Sequence, residues 1–558
     1  MHSKRPEANN NEKMNISEII KENFFIIDSN NLDEISSHMY GFSISKKGIL
    51  TDNYYKELGL YEDPEPQGIY IMIRKIGNKI TINQDFYGSF GIYFYENKNS
   101  GYFALSNSFL LLEEYLKGKE TISLNKDFSN TLIISQLCSP SIYETMINEI
   151  NILPPDTFIS IDISKRIYNI CNIDYKENSI PFDSKEGLEI IDKWVDKWGY
   201  IIRSLKKKTD NISSDLTGGF DTRAVLSLLL NSGIDLNEIL INSSNDSLHC
   251  HSEDFHIASN ISLKFGFKLN NKILDRNGTI WRIEDNLASS FYTKLGFHKE
   301  FYFKNKFFTK PRFSFSGSGG ELSRGYPGYP IEEYIRIISS GAKYIKGYKK
   351  EFYNSSVYLC NRSINLLKTK NKNNYEISSE LYSKGRTRNH YGKTALEGFL
   401  ANIYSIQPMI DPELKKLKYE ISEETTHDLI AYIYIRFGHN LINFPIQGKR
   451  ILNLKSISKA EKINNFLPPY KKKEDYNENF FIDIRRKSPV IGVKKIKNPI
   501  DYFVELSNSS KFIKNINKIY NNSIYNWAIE YSKKTNFFPF RHIYGLLAIS
   551  KMVEDLSI

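Results

Sequence analysis

The sequence predicts two units of different class: a strand-rich α+β unit first, then an α/β unit with a parallel sheet that ends in a mainly helical part. Three observations carry this. The chain has 558 residues, more than one ordinary hydrophobic core accommodates. Its early segments alternate apolar and polar residues with period two, and near residue 184 the period changes to steps of three and four. Beyond that point strand-like and helix-like segments alternate, the order of an open parallel sheet.

The strands come first. Gly68 to Phe86 reads as two strands around Gly77-Asn78, a hairpin signal. Gly91 to Ser106 repeats the pattern around Asn97 to Gly101, and Thr157 to Ile163 alternates cleanly. From Ser184 to Leu205 the apolar positions Leu188, Ile191, Val195, Trp198, Ile202 and Leu205 mark one buried helix face, with Asp183 or Ser184 as N-cap. The boundary falls near 170–183, giving a tail at 1–13, a first domain at 14–175 and a second at 184–558. In the second, strands are expected before Leu216, over Glu238–Ser244 and over Arg312–Gly320, with a helix from about Glu253 to Phe265. Two polar runs, Lys368–Glu376 and Pro468–Asn479, read as exposed loops.

Bulk properties narrow the function classes. Apolar residues make up 41% and aromatics 14%, enough for real cores. The net charge of +11 would suit an anionic small substrate as well as nucleic acid, and the chain-wide Lys, Asn and Ile bias makes nucleic acid the weaker expectation. The four cysteines, Cys138, Cys171, Cys250 and Cys360, form no CxxC, so neither a zinc ribbon nor a disulfide framework is expected. His249–His256 has no helical ligand spacing for zinc. The polar start has no apolar signal core, and no run approaches 18 apolar residues. The expectation is a cytoplasmic protein without a membrane partner; a homo-oligomer is compatible with it.

The chemistry concentrates in "LTGGFDT", Leu216 to Thr222. A short strand, two glycines and a helix make a phosphate-binding layout. Glycines let backbone N–H groups converge, and the helix adds its positive end. Thr217 and Thr222 can donate hydroxyls. Asp221 would repel phosphate unless it holds Mg²⁺, which bridges to phosphate oxygens. An ordinary strand-to-helix turn with Asp221 as a cap is the plain alternative. Gly392-Lys393-Thr394 imitates a P-loop, but Thr387 stands where a glycine is required and no apolar strand precedes it.

This loop resembles the SGGxDS pyrophosphate loop of the N-type ATP pyrophosphatases, above all the asparagine synthetase superfamily. Three further segments resemble that family in the same chain order. Ser252–Leu269 is similar to the helix after its second strand, with Asp254 and Ala258 in the usual places. "SGSGGELSRGY", Ser316–Tyr326, resembles its second glycine loop, SGxGxDExxxGY. "QPMIDPELKKL", Gln407–Leu417, resembles its PFLDxxLV segment. Gln84–Ser108 and Ile150–Phe158 are similar to its N-terminal glutaminase-type domain.

The resemblance implies an Ntn glutaminase-like β-sandwich followed by an adenine-nucleotide α-hydrolase-like sheet. It implies that a substrate carboxylate attacks the α-phosphorus of ATP, that pyrophosphate leaves, and that an amine or ammonia captures the acyl-adenylate. The nucleotide site would then comprise Leu216, Thr217, Gly218, Gly219, Asp221, Thr222, Asn242, Ser316, Gly317 and Gly319. Asp221 and Glu321 would hold Mg²⁺, and Lys449, beside Arg450, would stabilise the transition state, with Lys455 and Lys459 as the next lysines to consider. The acceptor would be a small-molecule or peptide carboxylate. Two departures stand out. Ser318 replaces the glutamate tied to amine capture, and residue 2 is His2 where glutamine hydrolysis needs a cysteine nucleophile, the first cysteine being Cys138. A tRNA-modifying relative of the same ATPase group would explain the charge, but such proteins lack the strand-rich first unit. A non-catalytic interaction protein would have no use for Asp221 and Glu321.

Overall fold

The computed structural model describes residues 22–134, 141–173, 175, 179–245, 251–271, 283–295, 308–324, 330–345, 347, 349–367, 372–418, 427–449, 451–486, 499–534 and 541–558. Two antiparallel sheets form the first unit. One has the order β1-β7-β6-β8 and the other β10-β9-β5-β4-β2-β3. Their strands are β1 (Ile26–Asp28), β2 (His38–Ser45), β3 (Gly48–Leu50), β4 (Gly68–Ile76), β5 (Lys79–Gln84), β6 (Tyr93–Asn97), β7 (Tyr102–Ser106), β8 (Ile150–Ile152), β9 (Thr157–Asp162) and β10 (Ile167–Asn172). The β4–β5 hairpin turns at Gly77-Asn78 as the sequence predicts, with Ile76 opposite Lys79. Alternation decides which side is buried. Ile69, Ile71, Ile73, Ile80, Ile82, Ile159 and Ile161 of the larger sheet share a core with Ile27, Phe94, Phe103 and Leu105 of the smaller one.

The opposite face of the smaller sheet is covered by helices, two of which the sequence reading missed. Phe109–Leu116 and Lys126–Ile134 are short apolar runs that periodicity does not separate from strands. They pack with Tyr93, Tyr95, Ile150 and Ile152 and with the C-terminal helices Ser510–Ile519 and Arg541–Asp555. Glu113 lies in this layer, fully buried, and among the described residues no hydrogen bond reaches its carboxyl oxygens. Lys117 and Lys551 reach Asp555 at 3.6 and 2.9 Å nearby. Burial first, and then Asp555 and Glu114 against the opposing pull of Lys551 and Lys117, push the Glu113 carboxyl from 4.5 up to about 7. The folded chain therefore keeps a proton between pH 4.5 and 7 that the unfolded chain has lost, and stability falls as pH rises through that window. Glu113→Gln is expected to raise the thermal midpoint at pH 8 by about 1–2 °C and to leave it unchanged near pH 4.5. Melting curves at both pH values check this; an equal shift at the two would assign the effect to packing.

The second unit opens with the helix Lys185–Lys208, capped by Ser184, whose hydroxyl accepts from the Gly187 N–H at 3.1 Å. The cap is thus Ser184 rather than Asp183. Five short strands follow: β12 (Ile212–Asp215), β13 (Leu240–Ser243), β14 (Leu269–Asn271), β15 (Arg312–Phe315) and β16 (Ile403–Ile406). Every neighbouring pair is parallel, in the order β14-β13-β12-β15-β16. The chain leaves β12 to one side for β13 and β14, then returns to its other side for β15. The order reverses at β12, so the C-terminal ends of β12 and β15 flank a topological switch point, the position where open α/β sheets bind ligands. A short parallel pair, β11 (Ile180–Pro181) with β17 (Leu417–Lys418), ties the connection between units to the second one.

The units share packed surface. Phe42 of β2 lies 5.0 Å from Tyr404 of β16, ring to ring. Of the two polar runs, Pro468–Asn479 is exposed and without regular structure. The other needs correction. Residues 368–371 lie outside the described residues, and Asn373 with Glu376 forms a capping box that opens the helix Asn374–Leu381. Among the described residues no helix is long and apolar enough to cross a membrane.

Candidate active site

Both glycine loops lie at the switch point. Leu216–Gly219 leaves β12 and opens the helix Phe220–Ser232, with Gly219 at the N-cap. Ser316–Gly319 leaves β15 and opens the turn Gly320–Arg324. The two loops touch through glycines. A Cβ on Gly317 would stand 2.5 Å from the Thr222 nitrogen, and one on Gly320 would stand 2.4 Å from Asp221 Cγ. Backbone and side chain meet there at distances that no other residue type permits. This contact places Asp221, in the first turn of its helix, beside the residue that precedes Glu321.

The first loop is tied from within. The Thr217 N–H donates to Thr222 Oγ1 at 3.1 Å, the two threonine hydroxyls share a hydrogen bond of 3.0 Å, and the Gly219 N–H donates to Thr217 Oγ1 at 3.1 Å. Two hydroxyls carry two protons and their mutual bond uses one, so the pair keeps one donor for a ligand. The Gly218 N–H donates to Asp254 Oδ1 at 2.7 Å, which fixes the loop to the helix His251–Phe265. In this arrangement both glycine amides are engaged within the protein. They are internal ties, as buried N–H groups require partners, and the positive end of the helix Phe220–Ser232 is what remains for an anion.

The surroundings lock this arrangement. Fully buried Arg223 reaches the carbonyls of Gly218, at 3.0 Å, Phe444, at 3.1 Å, and Pro445. The Gln447 N–H donates to the Gly218 carbonyl at 3.0 Å, so the turn Gln447–Lys449 lies against the loop, and Lys449 closes that turn. Arg450 lies outside the described residues. Lys459 is engaged elsewhere: its ammonium pairs with Asp183 at 3.0 Å and Asp428 at 3.2 Å. Asn242 is the third residue of β13; its carbonyl accepts from the Leu216 N–H at 2.8 Å and its side chain from Asn270 at 2.7 Å.

In the second loop Ser316 and Ser318 share a hydroxyl bond of 2.7 Å, and Gly319 takes φ +79° over Ile410. Glu321 holds two tyrosines. Tyr382 donates to its Oε1 at 2.9 Å, and Tyr391 donates to the same oxygen. Among the described residues no hydrogen bond or ion pair reaches Oε2. Burial, then the charge of Glu321, hold the Tyr391 hydroxyl well above its ordinary range, with Asp221 contributing to the same field. Tyr382 and Tyr391 escape a sequence reading because neither belongs to a glycine loop. Two further elements settle as structural. Asp411 accepts from Trp198 and Lys197, both at 3.1 Å, and so anchors the Gln407–Leu417 segment on the helix Lys185–Lys208. Lys393 of the false P-loop is buried on the Phe90 carbonyl of the first unit.

The residues present fit a Mg²⁺–pyrophosphate group. Two carboxylates, Asp221 and Glu321, flank a glycine contact at a helix N-terminus, and Mg²⁺ is commonly held by one or two carboxylates with phosphate oxygens. Among the described residues no group of three or more His, Cys, Asp or Glu forms an all-protein metal cage. Compared with known families and with curated proteins, the chain matches no family model and no curated protein.

Proposed function

We propose that the chain is an ATP-dependent carbon–nitrogen ligase of the asparagine synthetase type, with a glutaminase-like first unit and a pyrophosphate-loop second unit. It adenylates a small-molecule or peptide carboxylate and passes the acyl group to an amine or ammonia, in the biosynthesis of a specialised metabolite, a peptide or a surface polysaccharide. One observation carries the reading: two glycine loops from distant parts of the chain meet at the switch point of a parallel sheet and bring Asp221 beside the Glu321 turn.

Each residue has a task in this reading. The free proton of the Thr217–Thr222 pair and the positive helix end bind the β- and γ-phosphates. Asp221 and Glu321 would hold Mg²⁺, which would supply positive charge for the leaving pyrophosphate. Lys449 stabilises negative charge as it builds at the α-phosphorus. The nitrogen source in this reading is a free amine or ammonia.

The expected products are AMP and pyrophosphate. Phosphorus NMR of ATP incubated with candidate acids and amines checks this, and ADP with orthophosphate would overturn the mechanism.

A further inference from the structure

The residues that grip Glu321 come from an unusual element. Tyr382–Gly392 is a π-helix of 11 residues, where such helices ordinarily last one turn and mark functional sites. Its hydrogen-bond spacing has a geometric result. Tyr382 and Tyr391 are nine positions apart, about two full turns at the roughly 4.4 residues per turn of i→i+5 bonding, so both hydroxyls face one way. In an α-helix the same nine positions make about two and a half turns, and the two side chains would point in opposite directions.

The other face of the π-helix is fastened to the first unit. Lys384 pairs with Asp156 at 3.0 Å. Arg388, fully buried, donates to the Leu153 carbonyl at 2.8 Å and the Ile142 carbonyl at 2.7 Å. At its end Gly392 abuts Ser89 so closely that a Cβ would stand 2.8 Å from the Ser89 Cα. Ser89 is itself fixed by Asp85. Lys384 and Arg388 lie about a third to a half turn from Tyr382 in the π register. In an α register Tyr391 would swing to their side and leave Glu321 with one tyrosine.

We propose that the π register is the device by which the first unit orients Glu321, with Tyr391 as a positioning residue. By occupying Oε1, the two hydroxyls direct Oε2 toward the cation. The first unit thereby has a task in the synthetase site. The proposal rests on the reading of Glu321 as a metal carboxylate.

The test measures Mn²⁺ bound to the full chain in the presence of ATP, by electron paramagnetic resonance. Outer partners of a metal ligand typically change affinity by about 10–100-fold. Glu321→Gln is expected to raise the half-saturating Mn²⁺ concentration at least tenfold. Tyr391→Phe is expected to raise it about tenfold, with the melting curve and the ATP affinity at saturating Mn²⁺ unchanged. A merely structural role would not produce that split. Gly392→Ala, which touches neither nucleotide nor metal, is expected to follow Tyr391→Phe. If Glu321→Gln leaves Mn²⁺ binding as in the unmodified chain, the reading of Glu321 is wrong and the proposal falls with it. If Glu321→Gln weakens binding and Tyr391→Phe does not, the metal site stands and the positioning role is overturned.

Discussion

Asp221→Ala is expected to lower pyrophosphate release by about two to three decades while the protein stays folded. That is the size of losing one preorganised electrostatic group from a reacting centre. Asp221 is partly exposed, and the internal ties of its loop run through Thr217, Thr222 and Asp254. Those ties remain when the carboxylate is removed. Its packing partner at Gly320 is backbone, and alanine fits where aspartate did. A pyrophosphate-release assay beside a circular-dichroism melt measures both halves. A fully active variant would leave Asp221 as a helix-end carboxylate and nothing more.

Arg388→Ala is expected to cost about 3 kcal/mol of folding stability or more. Burial pulls the guanidinium down to about 10, still charged at neutral pH. Its described hydrogen bonds run to the carbonyls of Leu153 and Ile142, not to a carboxylate. Truncation orphans both, at about 1–3 kcal/mol each, and leaves a cavity. Relief of the buried charge opposes this, so the volume-preserving Arg388→Met is expected to lose less than alanine. Urea denaturation of both variants at pH 7 gives the order; equal losses would mean that the filled volume contributes nothing.

What the sequence disclosed follows from the range of the interactions involved. Period-two runs such as Thr157–Asp162 and the Gly77-Asn78 turn are local, and they form as predicted. The two glycine loops are legible because a Gly at 317 or 320 answers a steric demand that leaves a trace in residue type. Their meeting is not legible in either segment, because it depends on the order of five strands paired across long stretches of chain. The π-helix leaves the weakest trace. "YSKGRTRNHYG" has no apolar stripe and carries two glycines, so nothing in it marks a π register. Its register is imposed by what it touches: carbonyls of the first unit on one side and Glu321 on the other. The capping box at Asn373 was local and readable, but it lay at the end of a lysine- and asparagine-rich run whose composition argued for a loop.

The helix layer over the smaller antiparallel sheet sets an order of events during synthesis. Phe128, Leu132 and Ile133 leave the ribosome early, and the C-terminal residues of the same core, among them Ile516, Leu546, Ile549 and Met552, leave it much later. At about 5–20 residues per second, roughly 20–70 s separate the two. Throughout that interval the helices Phe109–Leu116 and Lys126–Ile134 carry an apolar outer face that the C-terminal helices do not yet shield, a natural place for a chaperone to hold. The first unit to be made is the last to finish folding.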